Sequence, residues 1–435
     1  MKNPMKRSMP TCRRWPLAGL AAALLAGHAA AESLPQAWDS ALAADRGLKA
    51  TRENTAAASS LLDAAKSARL PNVALEAGYT ALGETPAARV DFFGQSLQMP
   101  LAQKDSAAYR AMATLPLYTG GRITRGIDAA TAGLDAARLG ETAEAQNLKL
   151  RVADAYVNVL RASRMLRVTE SHVASLEAHA RDVGNLHEQG MVAKSDLLSV
   201  QVALADARQR HLQVANGLDL ARAAYNRLLG RPLDQSVALD DISPEATQEP
   251  LPALTERALA RRSELAALAR QIEALRHQAA AVRGETAPQV ALSGGYGYQE
   301  NRYQVHEGQW MLTLGAKWNL FDGGMAGHRA SAVERQAAAL TEQRDELASL
   351  VGLQVRQTWL DVQETRKRLL VTQSAVAQAE ENLLVARDRY ANGLATHTEV
   401  LDAETLRTGS ESNHAHALFD AALAGLRLKR ATGEL

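Results

Sequence analysis

Apolar positions follow a helical period over two long stretches of this chain. From Leu148 to Val183, and again from Val351 to Ala386, apolar and small residues recur at alternating spacings of four and three. This is the 3.5-residue period of supercoiled helices. The two stretches lie within residues 121–190 and 324–393, which are bounded by glycines and contain no proline. At 1.5 Å per residue, each of them predicts a helix of roughly 100 Å.

The two predicted helices belong to two copies of one unit. The segment Leu117–Gly121 (LYTGG) precedes the first helix, and Leu320–Gly324 (LFDGG) precedes the second, 203 positions later. Gly190 and Gly393, which close the two helices, are also 203 positions apart. Agreement at both ends of so long a segment indicates an internal duplication.

The duplication divides the chain into a first repeat over residues 32–230, a linker over 231–250 and a second repeat over 251–435. Each repeat is predicted to contain, in order, one continuous helical segment, two strands, the long helix, a turn and a second helix. The copies are further apart in sequence before the strands than after them, so the first repeat has an insertion between its strands. We place it between Gly83 and Ser106, because the tip of a loop tolerates extra length.

Between the first helical segment and the long helix of each repeat, the apolar period changes from helical to two. Alternation predicts strands at about residues 72–82, 107–118, 289–299 and 309–320, with aromatic residues near their ends. This length and pattern are typical of transmembrane β-strands. The alternative is two half-buried hairpins in a soluble protein. Four strands cannot close a barrel and an open sheet edge cannot lie in lipid, so a membrane crossing requires several chains.

The first 31 residues have the pattern of a secretory signal peptide. A basic start precedes an apolar run over residues 17–27, and Ala29, Ala30 and Ala31 offer small residues for cleavage. The alternative, a membrane anchor, is disfavoured because the run is too short to span a bilayer. The only cysteine, Cys12, precedes this run, so we expect neither a lipid-anchored mature terminus nor a disulfide. No later stretch is apolar enough for a membrane helix, so any crossing would use strands.

Composition excludes several classes of function. The formal net charge is +1 and no basic patch with interleaved aromatics occurs, so nucleic acid is not an expected partner. Only 4% of residues are aromatic, which suits helices packed closely through alanine and short aliphatic side chains. No nucleophile elbow, phosphate-binding Walker loop or HExxH motif is present. We therefore expect neither an enzyme nor a cofactor.

The eleven histidines do not predict a metal site. His414 and His416 are two positions apart and point to different faces of a helix, and no cysteine or acidic cluster completes a coordination shell. The set His172, His179 and His187 lacks such a shell as well.

Several motifs together resemble the outer membrane efflux protein family, the TolC-like channels, over essentially the whole chain from about residue 34. Besides the LYTGG and LFDGG segments, they are Gln189–Leu198 (QGMVAKSDLL), Arg389–Gly393 (RYANG), Glu399–Ala403 (EVLDA) and Leu428–Gly433 (LKRATG). Each motif is modest evidence on its own, and the duplicated order and equal spacing make the match specific.

The resemblance implies a mainly α fold with a small β part. In this family, three chains form a homotrimer in which each chain gives four transmembrane β-strands to a twelve-stranded barrel in outer membrane lipid. The long helices form a tunnel across the periplasm of a Gram-negative bacterium. The implied function is the passive exit duct of a tripartite efflux or type I secretion system, together with an inner membrane transporter and a periplasmic adaptor. The alternative is a structural coiled-coil protein of the periplasm with no channel.

The resemblance also implies roles for residues near the two helical turns. Glu399 and Asp402 correspond to acidic residues that ring the tunnel entrance, although paired acids on a helix are more often a solvated face. Tyr390, Asp196 and Ser195 correspond to residues that hold the entrance closed. The adaptor would dock on the turns, at Gly190, Met191, Val192, Ala193, Lys194, Gly393, Leu394, Ala395 and Thr396.

One departure from the family pattern concerns closure of the entrance. Well-studied members have an arginine two residues after the second turn glycine, and this chain has Ala395. The salt bridge of that arginine is therefore absent, and Lys194 is a candidate substitute.

Overall fold

The computed structural model describes residues 31–244 and 249–435 of the chain. The predicted signal peptide and Cys12 lie outside the described residues, apart from Ala31. The described part is mainly helical with a small sheet part, as the sequence predicts. No helix in it is both long and apolar enough to cross a membrane.

Eight helices occur within the described residues, four in each repeat. The two long helices each contain 67 residues, and the helices that follow them each contain 35. Corresponding helices after the strands begin and end at equivalent positions of the two copies. The helices are α1 (Leu34–Ala44), α2 (Arg46–Ser67), α3 (Arg122–Glu188), α4 (Lys194–Leu228), α5 (Leu251–Arg261), α6 (Ser263–Arg283), α7 (Met325–Ala391) and α8 (His397–Ala431).

The first helical segment of each repeat differs from the prediction, because it is broken into two helices. In the first repeat Asp45 has an extended ψ of 127°, and its carboxylate accepts a hydrogen bond from the Leu48 amide at 2.8 Å. An aspartate at this position competes with helix continuation by capping the next helix. In the second repeat the break lies at Arg262, which is buried and donates to the backbone carbonyls of Arg430 and Ala431.

The four strands that alternation predicts form one antiparallel sheet, and the insertion forms a separate hairpin. The sheet order is β1-β4-β5-β6, which leaves β1 and β6 as edges without a partner in the described chain. The hairpin of β2 and β3 was not predicted, because its apolar residues are too few to distinguish it from a loop. The strands are β1 (Asn72–Ala81), β2 (Ala87–Phe92), β3 (Gln95–Pro100), β4 (Asp105–Tyr118), β5 (Gln289–Gln299) and β6 (Gly308–Lys317).

The register of the four-stranded sheet sorts its side chains onto two different faces. Val73 pairs with Ala113, which pairs with Gly294, which in turn pairs with Leu312. This face is apolar and aromatic. Its neighbouring rows hold Leu75, Tyr109, Ala111, Leu115, Leu292, Tyr296, Tyr298, Trp310 and Leu314.

The opposite face of the sheet is mostly polar or small, apart from Met112 and Met311. It holds an ion pair in which the Arg110 Nη2 lies 2.6 Å from a Glu76 carboxylate oxygen. It also holds a 3.3 Å hydrogen bond between the hydroxyls of Thr114 and Ser293. Both faces are solvent-accessible in a single chain, where Trp310 is 78% and Leu314 is 68% exposed.

The helices pack along the apolar and small residues of α3 and α7 that recur at alternating spacings of four and three, which we call the apolar ladder. Every ladder position from Leu148 to Val183, and from Val351 to Ala386, is buried or half-buried. Around the middle of α3 the core joins Leu148, Val152 and Tyr156 to the start of α1 and the end of α4. Thus α4 covers the half of α3 nearest the turn, and α1, α2 and α6 pack against the remainder.

A polar clamp fixes Glu32 to the middle of α3 and to the end of α4. The carboxylate of Glu32 receives two hydrogen bonds from Arg231, at 2.6 and 2.9 Å, and one from the Tyr225 hydroxyl at 2.9 Å. The Tyr156 hydroxyl donates to the backbone carbonyls of Glu32 and Asp240, both at 2.7 Å. Burial by itself would raise the pKa of Glu32, but the hydrogen bonds from Arg231 and Tyr225 outweigh it and lower this pKa.

We predict that Arg231→Ala lowers the free energy of unfolding at pH 7 by about 1–3 kcal/mol, because a partly buried carboxylate loses its charged partner. The folded-state pKa of Glu32 is depressed, so its contribution is complete above the unfolded-state pKa of about 4.3 and is lost as the pH falls through the folded value. The difference between variant and wild type should therefore shrink in strong acid.

Thermal unfolding of the purified protein at a series of pH values measures this difference. Arg227→Ala is the matched control, because Arg227 is exposed in the last turn of α4, four positions before Arg231, and makes no ion pair within the described residues. Equal stability of the two variants at pH 7 would contradict the clamp.

Candidate functional site at the hairpin tips

The two turns that join the long helices to their partners have the same geometry. Gly190 and Gly393 both have φ of 73°, a left-handed conformation that glycine adopts without strain. In the first turn the Gly190 amide donates to the His187 carbonyl and the Met191 amide donates to the Leu186 carbonyl. The second turn repeats both bonds around Gly393. This is the Schellman motif, so each tip is a rigid, defined surface.

The side chains at the two tips are presented outward. Met191 and Leu394 occupy equivalent positions directly after the glycines, and both are 69% exposed. Ala193, Lys194 and Thr396 are exposed as well, while Val192 and Ala395 are half-buried. The predicted docking residues are therefore brought together as two exposed tips.

Helix α8 begins with a capping box in which Glu399 takes part. The Glu399 amide donates to the Thr396 hydroxyl, and the Thr396 amide donates to the Glu399 carboxylate at 3.1 Å. The same carboxylate lies 3.5 Å from the Arg389 guanidinium. Glu399 thus has a local structural role that was not predicted from the sequence. A threonine followed three residues later by a glutamate is the sequence pattern that indicates such a capping box.

Asp402 lies one turn beyond Glu399 and is exposed. Within the described residues its carboxylate makes no ion pair or side-chain hydrogen bond. The two acidic side chains, three positions apart, share one side of the helix. Of the two, Asp402 is the group whose charge is not engaged by the fold of the single chain.

Asp196 and Ser195 lie at the start of α4, beside the tip of the other hairpin. The Ser195 hydroxyl donates to the Asp196 carboxylate at 3.2 Å. The same carboxylate lies 3.5 Å from Nδ1 of His397, the first residue of α8. His397 therefore contacts Asp196 across the two hairpins, whereas Lys194 makes no ion pair in the part of the chain that the structure describes.

Tyr390 packs between the hairpins through its ring. Its ring meets the buried His179 ring edge-to-face, with centroids 5.4 Å apart, and it lies against the cluster of Leu383, Ala386, Val400 and Ala403. Its buried hydroxyl has no hydrogen-bond partner among residues 31–244 and 249–435. Burial, reinforced by the charges of Asp196 and Asp182, raises the pKa of Tyr390.

His179 and Tyr390 line a groove of about 450 Å³ between α3 and α7, together with Asp182, Asn185 and Arg387. Burial and the neighbouring Arg387 lower the pKa of His179. The His179 Nε2 atom is buried without a hydrogen-bond partner in the described chain, as is the Tyr390 hydroxyl. No group of three or more metal-ligating side chains could hold an ion anywhere in the described ranges.

A buried ionic cluster centred on Glu404 lies further from the tips. Glu404 is 1% exposed and is surrounded by polar groups of α3, α7 and α8. The sequence analysis did not identify it. Its signal was a glutamate on the apolar stripe of α8, next to Val400 and Ala403, where a solvated acid is not expected.

We predict that Thr396→Ala weakens the first turn of α8 by about 1 kcal/mol, because the capping hydroxyl is lost. Hydrogen exchange of the Glu399 amide should then be about fivefold faster. At the equivalent position of the first hairpin, Ala193 caps α4 without a side-chain hydrogen bond. Ala193→Ser should therefore slow exchange at the start of α4. Unchanged exchange in Thr396→Ala would contradict the capping box.

Comparisons with known proteins support the same assignment. The family model described as outer membrane efflux protein matches residues 37–231 and 254–434, which are the two repeats. The outer membrane protein TolC of Escherichia coli (strain K12) is 23% identical over 450 residues, covering 99% of this chain and 87% of TolC. The alkaline protease secretion protein AprF of Pseudomonas aeruginosa is 22% identical over 306 residues, covering 67% of this chain and 62% of AprF.

Among solved structures, the outer-membrane channel OprN has a TM-score of 0.79 at 20% identity, covering 92% of this chain and 90% of OprN. These relatives are outer membrane channel proteins and not enzymes. Because the family model matches most of both repeats, the chain belongs to the outer membrane efflux protein family.

Proposed function

We propose that this protein is the outer membrane exit duct of a tripartite efflux or type I secretion system. The observation that carries the proposal is a sheet with one apolar face and two unpaired edges, connected directly to helices of 67 residues. The apolar face suits lipid, and the helices reach roughly 100 Å away from it. Nothing in this arrangement performs chemistry, so conduction is passive.

The sheet edges argue for a homotrimer. An open edge exposes unpaired backbone amides and carbonyls, which are costly in hydrocarbon. Pairing β1 of one copy with β6 of the next satisfies both edges. Three copies then give a twelve-stranded barrel with Trp310, Leu312 and Leu314 toward outer membrane lipid and the Glu76–Arg110 pair toward the lumen. Even strand numbers of this size are typical of bacterial outer membrane barrels.

The helical part then lies in the periplasm of a Gram-negative bacterium, without a lipid anchor. Its two exposed tips, with Met191 and Leu394 outermost, suit docking of a periplasmic adaptor. An inner membrane transporter would supply the energy that a passive duct lacks. The rigid Schellman turns support this role, because a preformed surface reduces the entropy lost on binding.

At the entrance we assign the acidic ring to Glu399 and Asp402. Threefold symmetry would place six carboxylates around one opening. At about 10 Å from the axis, each contributes about 0.4 kcal/mol in water, reduced about threefold by salt screening at that distance. Six such charges sum to about 0.9 kcal/mol, which raises the local cation concentration about fivefold.

Tyr390, Asp196 and Ser195 are proposed to hold this entrance closed. The contact of His397 with Asp196 lies where the family has an arginine contact, which explains how Ala395 is tolerated. The unpartnered Tyr390 hydroxyl and His179 Nε2 leave polar groups for a neighbouring copy.

The competing function is a structural coiled-coil protein of the periplasm, for which the ladders of α3 and α7 would suffice. Fractionation and planar bilayers distinguish the two. An exit duct is extracted from outer membranes only by detergent, as a trimer, and conducts ions. A soluble single chain in the periplasmic fraction, with no conductance, would overturn the proposal.

We predict that Glu399→Gln combined with Asp402→Asn lowers the cation-to-anion permeability ratio by about twentyfold, because the six charges enrich cations about fivefold and deplete anions by the same factor. Block by trivalent cations at the entrance should weaken in parallel. The amide variants are chosen because glutamine also completes a capping box, so the α8 start is retained. Reversal potentials in salt gradients measure the ratio.

The single variants separate the two acids. Asp402→Asn alone should account for at least half of the change, because Glu399 is partly neutralised by Arg389. Glu381→Gln is the control, because Glu381 is exposed on α7 and lies outside the proposed ring. An unchanged ratio in the double variant would remove the ring assignment.

A further inference from the structure

Among the described residues, the most deeply buried charge is Glu404, about two helical turns after the start of α8 at His397. We call its surroundings the Glu404 cluster, which consists of Glu404, His172, Ser175, Arg387 and Arg407. These residues come from α3, which belongs to the first hairpin, and from α7 and α8, which form the second.

Each oxygen of the Glu404 carboxylate is engaged by a different set of groups. One oxygen lies 2.6 Å from Arg407 Nη2 and 3.2 Å from His172 Nδ1. The other lies 3.4 Å from Arg387 Nη2, which also donates to the Ser175 hydroxyl. The carboxylate therefore joins α8 to α3 directly, through His172, and also through Arg387 on α7.

Further bonds extend the cluster along the same contact between hairpins. The second guanidinium nitrogen of Arg407 donates to the Ser171 hydroxyl at 3.2 Å and to Glu411 at 2.9 Å. Thr408 lies 3.0 Å from His172 Nδ1. Arg407 and Thr408 thus reach α3 as well, whereas the bond to Glu411 stays within α8.

The Glu404 carboxylate is charged at neutral pH. Burial by itself would raise its pKa, but hydrogen bonds from His172, Arg407 and Ser175 outweigh burial and lower it to about 2. A buried charge is costly when a partner is removed, because water cannot replace the lost bond. The contact between α8 and α3 is therefore hard to open at this point.

The tips themselves offer a weaker connection. There the charged contact between hairpins is the 3.5 Å pair of His397 and Asp196, both partly exposed, and Ala395 contributes no polar side chain. Exposed pairs contribute little to stability because solvent and salt screen them. The buried cluster above the tips is accordingly the stronger connection in this part of the molecule.

We infer that Glu404 is the positioning residue that holds the second hairpin against the first, and that its bonds to α3 must break before the entrance opens. This inference rests on the proposed exit duct. It adds a role for Glu404, which lies away from the tips and belongs neither to the proposed acidic ring nor to the proposed adaptor surface. When Glu404 releases His172 and Ser175, the start of α8, which bears Glu399 and Asp402, is free to move away from α3.

The test is the conductance of purified trimers in planar bilayers without adaptor. Glu404→Gln keeps the shape of the side chain but removes its charge. Within the described residues this leaves Arg387 without a counter-charge and leaves Arg407 with Glu411 alone. We expect conductance to rise severalfold while the trimer remains assembled. Glu411→Gln is the matched control, because it removes a carboxylate bonded to the same arginine without crossing between hairpins, and it should conduct as wild type does.

A second variant covers the case in which Glu404→Gln fails to assemble. His172→Gln with Ser175→Ala removes bonds on the α3 side and leaves Glu404 paired with Arg407. It should also raise conductance, by a smaller factor. Adding Glu404→Gln to it should give little further increase, because the same connection is already broken.

The outcomes separate this inference from the proposed function. A wild-type trimer that conducts, with Glu404→Gln and the His172/Ser175 variant conducting equally, overturns the role of Glu404 and leaves the exit duct intact. A lower melting temperature with unchanged conductance overturns it as well, since that shows a purely structural role. A wild-type protein that never conducts overturns the exit duct and this inference together.

Discussion

Unpaired backbone groups at the two edges of a four-stranded sheet are the constraint on which the rest of this molecule depends. Amides and carbonyls along β1 and β6 have no partner in the described chain, and the face that carries Trp310, Leu312 and Leu314 is exposed. Water would satisfy the edges but not the apolar face, and lipid would satisfy the face but not the edges. Further copies of the same sheet would satisfy both, as in the trimer that we propose.

In the proposed exit duct the long helices meet a second requirement, which is to extend the channel far from the membrane without a wide core. A ladder of alanine, valine and leucine at a 3.5-residue period lets α3 and α7 pack along most of their length against shorter partners. Few aromatics are needed, and Tyr156 and Tyr225 are used where α1, α3 and α4 meet. Close to the tips, charged and polar contacts between the hairpins accompany the apolar packing of Leu383, Ala386, Val400 and Ala403, and there we place the gate.

Features of the fold and of the site could be predicted from the sequence where neighbouring residues determine them, and could not where distant residues do. The long helices were predicted to within about two residues, because glycines with positive φ end them and their period is sustained. The helix breaks at Asp45 and Arg262 were not predicted. A single capping residue decides the first break, and hydrogen bonds to carbonyls far away in sequence decide the second. Glu404 was missed because its partners lie on α3, far away in sequence, and burial of a glutamate follows only from that packing.

The most direct test of the central claim is disulfide formation between sheet edges in isolated outer membranes. Val73 and Leu312 lie in one row at opposite edges, roughly 14 Å apart across three strand spacings, too far for a bond within one chain. With cysteine at Val73 and, in turn, at Trp310, Leu312 or Leu314, at least one pair should give covalent trimers and nothing larger on a non-reducing denaturing gel. Single chains for every pair would contradict the account.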